Sequence, residues 1–268
     1  METHRAKRVA SAAEADVADR QNRVKGFSTE ALQGARVLLI GAGGLGSGYA
    51  TGLCRKGIGY LRICDGDVVE ASNLTRQSYY VEDLYQPKAL RLARNAAREG
   101  CLGTVCEGHH VDFTDESAPK LGADVDVAVC GVDNNAARAA ACRYFRQQRK
   151  PCIFTAIDDD GSFGWVFVQR PDGPCLGCVY PHMLDGRPEP NRCAPVGAVL
   201  DILRVCSGVV LRAIDSLVME RARGWDYHSV TLVGTVPGQQ VIVEHNPQCP
   251  ACGGAPENVQ QSKDAGSV

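Results

Sequence analysis

Four cysteines occur as two closely spaced pairs, Cys175-Leu-Gly-Cys178 and Cys249-Pro-Ala-Cys252. The two-residue spacing lets both thiolates of a pair bind one metal ion, and two pairs supply the four ligands of a tetrahedral zinc site. Because such a site has no open position for water, its predicted role is to join two distant segments of the chain, not to catalyse. The alternatives are a redox-active pair and unligated thiols.

A glycine-rich turn provides the second chemical signal. It follows the apolar run RVLLI, and the next apolar run ends on Asp65, with Asp67 two residues further on. Glycines at this spacing let phosphate groups approach the N–H groups at a helix N-terminus, and an acid after the second strand accepts hydrogen bonds from ribose hydroxyls. The sequence therefore predicts a nucleotide site, and the alternative is a turn that only packs a helix on a strand. The glycines are Gly41, Gly43, Gly44 and Gly46.

Polar residues downstream of the turn suit a polyphosphate. The segment Asn73-Leu-Thr-Arg76-Gln77 and the later Lys88 supply amide, guanidinium and ammonium groups. Asp133, followed by Asn134, comes directly after another apolar run, where one carboxylate together with phosphate oxygens can hold Mg²⁺. Each of these residues also has an interpretation without a ligand. Arg76 could be a surface residue, Lys88 could start a helix, Asn73 could belong to a turn, and Asp133 could be a helix N-cap.

The elements that position these residues alternate between strand and helix. Ser28 and Thr29 can cap a short helix before the first strand. The alternation predicts an α/β, Rossmann-like fold, a mostly parallel sheet with helices on both faces, whose ligands bind at the carboxyl ends of the strands. The predicted strands are 37–40, 60–64, 105–109, 125–130 and 152–156, and the predicted helices are 44–55, 87–99 and 134–148.

Antiparallel strands are predicted to extend this sheet. A strand over 163–170 precedes a proline-rich loop, a helix is expected from Pro195 to about Ala222, and strands follow at 229–233 and 239–245. Residues 19–253 are predicted to form a single domain. Residues 1–18 are either a frayed helix or a disordered arm, and 254–268 are expected to be a flexible tail.

Composition limits the function classes. The chain has 268 residues, a net charge of -2 and a pI of about 6.3, which argues against a nucleic-acid partner. It has no apolar run of membrane-spanning length and no apolar stretch near its start that could act as a secretory signal, so we expect a cytoplasmic protein. Thirteen cysteines, an odd number, favour metal or thiol chemistry over a disulfide framework. Small core residues are expected at Cys64, Cys130, Cys142 and Cys152.

Several motifs in order resemble the ThiF/MoeB/HesA adenylyltransferases, which are prokaryotic relatives of the ubiquitin-activating enzymes. The motifs are GAGGLGS, DGD, NLTRQ, QPK, the Asp-Asn pair, the two C-x-x-C pairs and CAPVG, and together they cover residues 20–253. The resemblance implies a homodimer that uses MgATP to adenylate the C-terminal glycine of a ubiquitin-like sulfur-carrier protein ending in Gly-Gly. A sulfurtransferase or cysteine desulfurase is the implied further partner.

The resemblance also implies residue roles. Asp65 holds the ribose, Asn73, Arg76, Gln77 and Lys88 hold the phosphates, Asp133 holds Mg²⁺, and Arg20 or Arg23 reaches the γ-phosphate of the other subunit. Cys193 occupies the cysteine position of the crossover loop. There the cysteine either attacks the acyl-adenylate, takes part in sulfur transfer, or is dispensable, and these alternatives stay open.

Three features depart from the family pattern. The N-terminal segment is shorter than in the longer members of the family, so the arginine that the second subunit would supply is less certain to be present here. Cys142 stands where asparagine is usual, and Asp158-Asp159-Asp160 replaces a glycine-rich stretch. The acidic stretch is expected either to repel an acidic partner tail or to select a different substrate. The second candidate substrate is a peptide or small-molecule carboxylate in a biosynthetic pathway, and the third interpretation is a non-catalytic or NAD-binding module.

Overall fold

A computed structural model describes residues 1–184, 197–234, 238–249 and 251–253. Among the described helices, none combines the length and apolar character that a bilayer crossing requires. The strands are β1 Glu2–Arg5, β2 Arg36–Ile40, β3 Tyr60–Asp65, β4 Val105–His110, β5 Val127–Cys130, β6 Cys152–Ile157, β7 Phe163–Gln169, β8 Tyr227–Thr231 and β9 Gln240–Val241. The helices are α1 Ser11–Asn22, α2 Thr29–Gly34, α3 Gly44–Lys56, α4 Lys88–Glu99, α5 Ala118–Gly122, α6 Asn135–Gln147, α7 Leu176–Val179 and α8 Leu200–Val218.

The nine described strands form one sheet in the order β1-β4-β3-β2-β5-β6-β7-β8-β9. Strands β4, β3, β2, β5 and β6 are parallel, whereas β1 and β7 to β9 pair antiparallel. From β2 the chain first moves outward to β3 and β4 and then returns to β5 on the other side. The crevice at such a reversal is where open α/β sheets bind ligands. The predicted Rossmann-like fold with antiparallel extensions is confirmed.

Strand β2 shows why the sheet is covered on both faces. Val37 and Leu39 pack into a core that contains residues of α3, α4 and α8, while Leu38 and Ile40 pack into a second core with residues of α5 and α6. All four side chains are buried, and burying a side chain of this size contributes about 1.5–3 kcal/mol. The continuous apolar run in the sequence is therefore the consequence of two buried faces.

Most predicted element boundaries are confirmed to within one or two residues. Ser28 caps α2, because its side-chain oxygen accepts a hydrogen bond from the Ala31 N–H at 3.1 Å. Helix α3 ends at Gly57 in the left-handed conformation, with φ of 88°, and α4 is followed by Gly100. The four cysteines predicted as core residues, Cys64, Cys130, Cys142 and Cys152, are all buried.

The last long helix is shorter than predicted. Helix α8 begins at Leu200 and ends at Val218, four residues before the expected Ala222, while Pro195 lies outside the described residues. Glu220 adopts φ of 50°, and the Arg221 N–H bonds back to the Ser216 carbonyl at 2.8 Å. A left-handed residue with this return bond ends a helix, so the helix ends before Gly224, the glycine that the sequence predicts as its terminator.

The final strands also differ from the prediction. Strand β8 begins at Tyr227 and ends at Thr231, and β9 has only two residues instead of the seven of 239–245. Past β9, the Val243 N–H donates to the Asp226 carboxylate at 3.4 Å instead of continuing the ladder.

For residues 1–18 the structure matches the helical alternative in the second half and adds a strand that was not predicted. Glu2–Arg5 form strand β1, which pairs with β4 at the edge of the sheet, and α1 begins at Ser11. The edge of β4 therefore has a strand partner that the polar and Ala-rich sequence did not indicate.

A partly buried ionic network lies across β3 and β4. Glu107 accepts hydrogen bonds from Tyr60 Oη at 2.5 Å and Arg62 Nε at 3.2 Å, and it also contacts His109. Arg62 is buried and continues the network to Asp124. Burial alone would raise the pKa of Glu107, but the hydrogen bonds from Tyr60 and His109 and the charge of Arg62 outweigh it and hold that pKa below its ordinary value.

This network predicts a loss of stability in acid. A carboxylate whose pKa is lower in the folded state stabilises the fold above its unfolded pKa, about 4.3 for Glu, and that contribution is lost as pH falls through the folded value. Glu107→Gln should lower the free energy of unfolding by about 1–3 kcal/mol at pH 7 and flatten its pH dependence below about pH 4. Urea unfolding from pH 7 to pH 3 measures both effects. Glu116→Gln, on the surface, is the control, and an unchanged pH profile for Glu107→Gln would contradict the assignment.

Candidate functional site

The glycine-rich turn connects β2 to α3 at the point where the strand order reverses. Gly41 has φ of 98°, which favours glycine. A Cβ on Gly46 would lie 2.1 Å from the Gly41 carbonyl oxygen, so no larger residue fits there. Gly43 and Gly44 form the start of α3, whose first N–H groups have no partner within the helix and point toward the reversal point. The four glycines are thus brought together as predicted.

Asp65 is joined to this turn by its carboxylate. Its Oδ2 accepts a hydrogen bond from the Ala42 N–H at 2.7 Å, and its Oδ1 accepts one from the Asp67 N–H at 2.8 Å. Burial raises the pKa of Asp65 above its ordinary value, while these two hydrogen bonds and the charge of Lys88 oppose the rise. Each carboxylate oxygen keeps acceptor capacity for a further donor.

Lys88 lies at the start of α4 on the same side of the site. Its side chain is buried, and its ammonium bonds to the Asp67 carboxylate at 2.8 Å. The Lys88 N–H also bonds to the Asp67 carbonyl at 2.9 Å. The salt bridge places a desolvated cation next to Asp65, and Asp67, whose side chain is 73% exposed, is free to move when an anion competes for the ammonium.

The NLTRQ segment forms a compact turn around Asn73. The Asn73 side chain is buried and accepts from the Glu70 N–H at 2.9 Å, while its carbonyl accepts from the N–H groups of Arg76 and Gln77. The Arg76 guanidinium bonds to the Ser72 carbonyl at 2.5 Å. The Gln77 Oε1 is buried without a hydrogen-bond partner among the described residues. Asn73 thus organises the turn, and Arg76 and Gln77 keep donors or acceptors available.

Asp133 follows β5, across the reversal point from the glycine turn. The Gly131 N–H bonds to the Ile40 carbonyl at 3.0 Å, which connects the ends of the two strands. The predicted N-cap role of Asp133 is wrong, because Asn134 is the N-cap of α6 and its Oδ1 accepts from the Ala137 N–H at 2.8 Å. Asp133 is exposed, and its carboxylate has no hydrogen-bond partner in the part of the chain described. A cation therefore has free access to it.

Two residues that the sequence reasoning missed support this geometry. Tyr79 is buried, and its hydroxyl donates to the Ala42 carbonyl at 2.7 Å and lies 3.3 Å from the Lys88 carbonyl, so it holds the glycine turn against the start of α4. Arg138 is buried and donates to the Val132 carbonyl at 2.7 Å. No sequence signal separates Tyr79 from its exposed neighbour Tyr80, since only the packing decides which ring turns inward.

The two departures from the family pattern that the structure describes have structural partners. The Cys142 thiol donates to Gln169 Oε1 at 3.1 Å in the core. The Asp158 carboxylate accepts from the N–H groups of Ser162 and Phe163 at 2.9 and 3.0 Å, so it closes the turn between β6 and β7. Asp159 and Asp160 are exposed beyond the C-terminal end of β6, at the same edge of the sheet as Asp133.

The two cysteine pairs meet on the far side of the second core. The sulfur atoms of Cys175, Cys178, Cys249 and Cys252 all lie within 4.8 Å of one another, and three of the four residues are buried. Thiolates at about 2.3 Å from a tetrahedral zinc ion are about 3.8 Å apart, close to the 3.3–3.4 Å separations of three sulfur pairs. The donor set therefore fits a structural zinc ion, and α7 and the C-terminal segment would be joined by it.

The surroundings of the cysteine cluster were not predicted. His245 Nε2 lies 3.3 Å from the Cys252 sulfur, and Gln169, fully buried, accepts from the Leu176 N–H at 3.2 Å. Contacts from residues next to the metal ligands orient those ligands. The sequence did not reveal the role of His245, because this histidine is not part of a metal-ligand spacing pattern.

The remaining predicted site residues are not brought to the nucleotide turn of the same chain. Arg20 and Arg23 are exposed at the end of α1, and the adjacent Gln21 bonds to the Lys56 carbonyl at the C-terminal end of α3. Helix α3 has 13 residues, so this end is about 20 Å from Gly44. Cys193 lies outside the described residues.

The phosphate-binding turn, the strand-end acids and the cationic side chains define a nucleotide-binding α/β protein, and the cysteine cluster could hold a metal ion. The sequence pattern of the ThiF family matches residues 18–250, and the chain belongs to that family. It is 31% identical over 237 residues to a sulfur carrier protein adenylyltransferase of Thermus thermophilus, covering 85% of each chain. It is also 31% identical to a SAMP-activating enzyme E1 of Haloferax volcanii, covering 83% of this chain and 82% of that one.

Further comparisons agree. A Sulfur carrier protein ThiS adenylyltransferase of Bacillus subtilis is 32% identical over 68% of this chain, which spans 51% of that relative. Among solved structures, E. coli MccB with MccA-N7isoASN superposes with a TM-score of 0.72 at 17% identity, covering 90% of this chain and 75% of that one. That likeness concerns the fold alone. The protein is an enzyme of the adenylyltransferase class.

Proposed function

We propose that this protein uses MgATP to adenylate the C-terminal glycine carboxylate of a ubiquitin-like sulfur-carrier protein. The observation that carries the proposal is the placement of Asp65, Lys88 and Asp133 around one glycine turn at the reversal of the strand order. Beside them, the turn around Asn73 presents Arg76 and Gln77. This set suits a triphosphate, because it provides more cationic and amide groups than a dinucleotide needs.

The residues have distinct roles in the proposed reaction. A carboxylate oxygen of the carrier attacks the α-phosphorus of ATP, the bond to the bridging oxygen breaks, and pyrophosphate leaves with the electron pair. The nucleophile is already ionised at neutral pH, so no general base is required. Negative charge grows on the leaving pyrophosphate, where Arg76, Lys88 and a Mg²⁺ ion held by Asp133 would stabilise it.

The Lys88–Asp67 salt bridge supports this role for the lysine. In the structure Asp67 compensates the buried ammonium, at an N–O distance of 2.8 Å. A phosphate oxygen can replace the exposed Asp67 carboxylate without leaving the lysine unpaired. Binding the triphosphate therefore exchanges one ion pair for another, which avoids the large cost of an uncompensated buried charge.

A homodimer completes the proposed site. Arg20 and Arg23 lie at the opposite end of α3 from the glycine turn of their own chain, so only another subunit can bring either arginine to the γ-phosphate. The relatives named above include adenylyltransferases of sulfur carriers. The adenylated carrier would then be the substrate of a sulfurtransferase or cysteine desulfurase.

Exchange of labelled pyrophosphate into ATP tests the substrate. We expect exchange that depends on a carrier protein ending in Gly-Gly and that falls at least about 100-fold when the terminal glycine is removed or amidated. A peptide or small-molecule carboxylate is the alternative substrate. If short peptides supported exchange at the rates expected for carriers, and carriers supported none, the proposal would be overturned and the alternative substrate would be favoured. Thermal protection by NAD instead of ATP would point to the non-catalytic module.

Asp65→Ala should mainly weaken ATP binding. Ribose contacts are similar in the ground and transition states, so their loss raises KM more than it lowers kcat. We expect KM for ATP to rise about 10- to 100-fold, the effect of losing hydrogen bonds to a charged group. Steady-state exchange kinetics measure this change, with the exposed Glu82→Ala as control. A fall in kcat at unchanged KM would contradict the ribose role.

Cys193→Ala distinguishes the two alternatives for the loop cysteine. If Cys193 accepts the acyl group, the variant keeps pyrophosphate exchange but loses the thiol-sensitive covalent adduct with the carrier. If the adenylate is the end product, neither property changes. Intact-protein mass spectrometry with carrier and ATP, before and after reductant, reads the adduct, and an adduct that persists in the variant excludes Cys193 as the nucleophile.

A further inference from the structure

A second cavity lies at the edge of the sheet opposite the glycine turn. It measures about 240 Å³ and is bounded by the end of α8, the start of β8 and the residue after β7. Gln169, the last residue of β7, pairs with Cys152, the first residue of β6, which places this cavity at the N-terminal edge of the parallel strands. The cavity is thus separate from the proposed nucleotide site. Three arginines line it: Arg170, Arg221 and Arg223.

Two of these arginines are engaged by the protein. Arg170 and Arg223 share the buried carboxylate of Asp226, with N–O distances of 3.1 and 3.5 Å. Arg223 also donates to the Trp225 carbonyl at 2.7 Å and to Ser216 Oγ at 3.0 Å. Burial, which the nearby charge of Arg170 reinforces, lowers the pKa of Arg223 although Asp226 opposes this. Asp226 is therefore fully used in holding these two cations together.

Arg221 has a guanidinium donor without a hydrogen-bond partner among the described residues. This donor, Nη1, is buried. The backbone of Arg221 is held by its amide N–H, which bonds to the Ser216 carbonyl at 2.8 Å. The guanidinium also packs on Gly26, where φ is 75° and an added Cβ would lie 3.2 Å from Arg221 Nε. A buried guanidinium N–H without a partner is unfavourable, and an acceptor that reached it would remove that cost.

The charges of the cavity identify the acceptor. Three guanidinium groups face two acids, Asp226, which is already shared, and Glu220, which is exposed. We propose that this cavity binds a small oxyanion, a phosphate or carboxylate group, through Arg221 with support from Arg170. Oxyanions match the geometry of guanidinium donors. The volume is below the 300–1,000 Å³ typical of pockets for drug-sized ligands, which favours a small anion or the terminal group of a larger ligand.

Thermal unfolding with inorganic phosphate and, separately, acetate tests the proposal at constant ionic strength. At about ten times the dissociation constant, phosphate should raise the wild-type Tm by about 3 °C. Arg221→Met should lose this shift, whereas Arg212→Met, an exposed arginine change on α8, should keep it. Arg76→Ala should also keep it, since that residue belongs to the proposed nucleotide site. A shift with acetate as well as phosphate assigns a carboxylate-type ligand, and one with phosphate alone assigns a phosphate.

A reciprocal measurement separates binding from folding. Without anion, Arg221→Met should be at least as stable as wild type, because methionine removes an unpaired buried donor. If Arg221→Met does not fold, Arg170→Met, at a side chain that is 52% exposed, should fold and show a reduced phosphate shift. Loss of the shift in Arg76→Ala, or an equal shift in Arg221→Met and wild type, would overturn the site. Either result leaves the proposed adenylation untouched.

Discussion

Asp133→Ala should reduce carrier-dependent exchange of pyrophosphate into ATP by about 10²- to 10³-fold. The carboxylate is exposed and unpartnered among the described residues, so its loss does little to the fold. It would remove the protein's hold on the Mg²⁺ that neutralises charge developing on the leaving pyrophosphate. Asp115→Ala, which removes another exposed carboxylate, is the matched control and should exchange at the wild-type rate.

The dependence on Mg²⁺ shows whether the effect of Asp133 works through the metal. The Asp133→Ala protein should need about tenfold more Mg²⁺ for half-maximal exchange, while ATP binding without metal stays unchanged. Arg76→Ala should cause a comparable fall in exchange with no change in the Mg²⁺ requirement, because it acts on the phosphate directly. Wild-type exchange in the Asp133 variant would rule out its assigned role.

Cys252→Ser should lose zinc and stability together. The cluster joins α7 to the C-terminal segment, more than 70 residues apart in the chain, and metal binding at such a site is coupled to folding. We expect the variant to fall from about one equivalent of zinc to below about 0.2 and its Tm to drop on the order of 10 °C. Metal analysis and thermal unfolding measure both quantities.

Cys101→Ser is the control for the zinc prediction, since Cys101 is half-buried and outside the cluster. It should retain zinc and most of its stability. If freshly prepared, reduced wild-type protein contains less than about half an equivalent of zinc, the structural role is wrong. In Cys252→Ser the three remaining thiolates could still bind zinc. The double variant Cys249→Ser, Cys252→Ser removes one C-x-x-C pair completely and should lose the ion.

The acidic residues after β6 are relevant to the charge of the carrier tail that would bind there. Asp158 is committed to the turn by bonds from Ser162 and Phe163, so its charge has a structural use. Asp160 is exposed at the edge of the sheet where the proposed reaction takes place. A carrier tail that approaches along this edge would be favoured if it carried basic residues, which offers a criterion for selecting carriers to assay.

The sequence by itself determined the parts of this protein whose chemistry is local. Strand, glycine turn, helix and Asp65 are contiguous, and only glycine suits the φ of Gly41 and the close approach at Gly46. The C-x-x-C spacing likewise specifies ligands in pairs. These signals depend on neighbours a few residues away, so they can be read before the fold is known.

Only the tertiary structure decided the rest. That Tyr79 and not Tyr80 turns inward follows from packing between distant segments. Strand β1 forms because β4 offers an unpaired edge, and Arg221 becomes a candidate anion ligand because α8 ends earlier than its composition indicates. Side-chain direction, edge pairing and unused donors are properties of the assembled fold, and no local pattern encodes them.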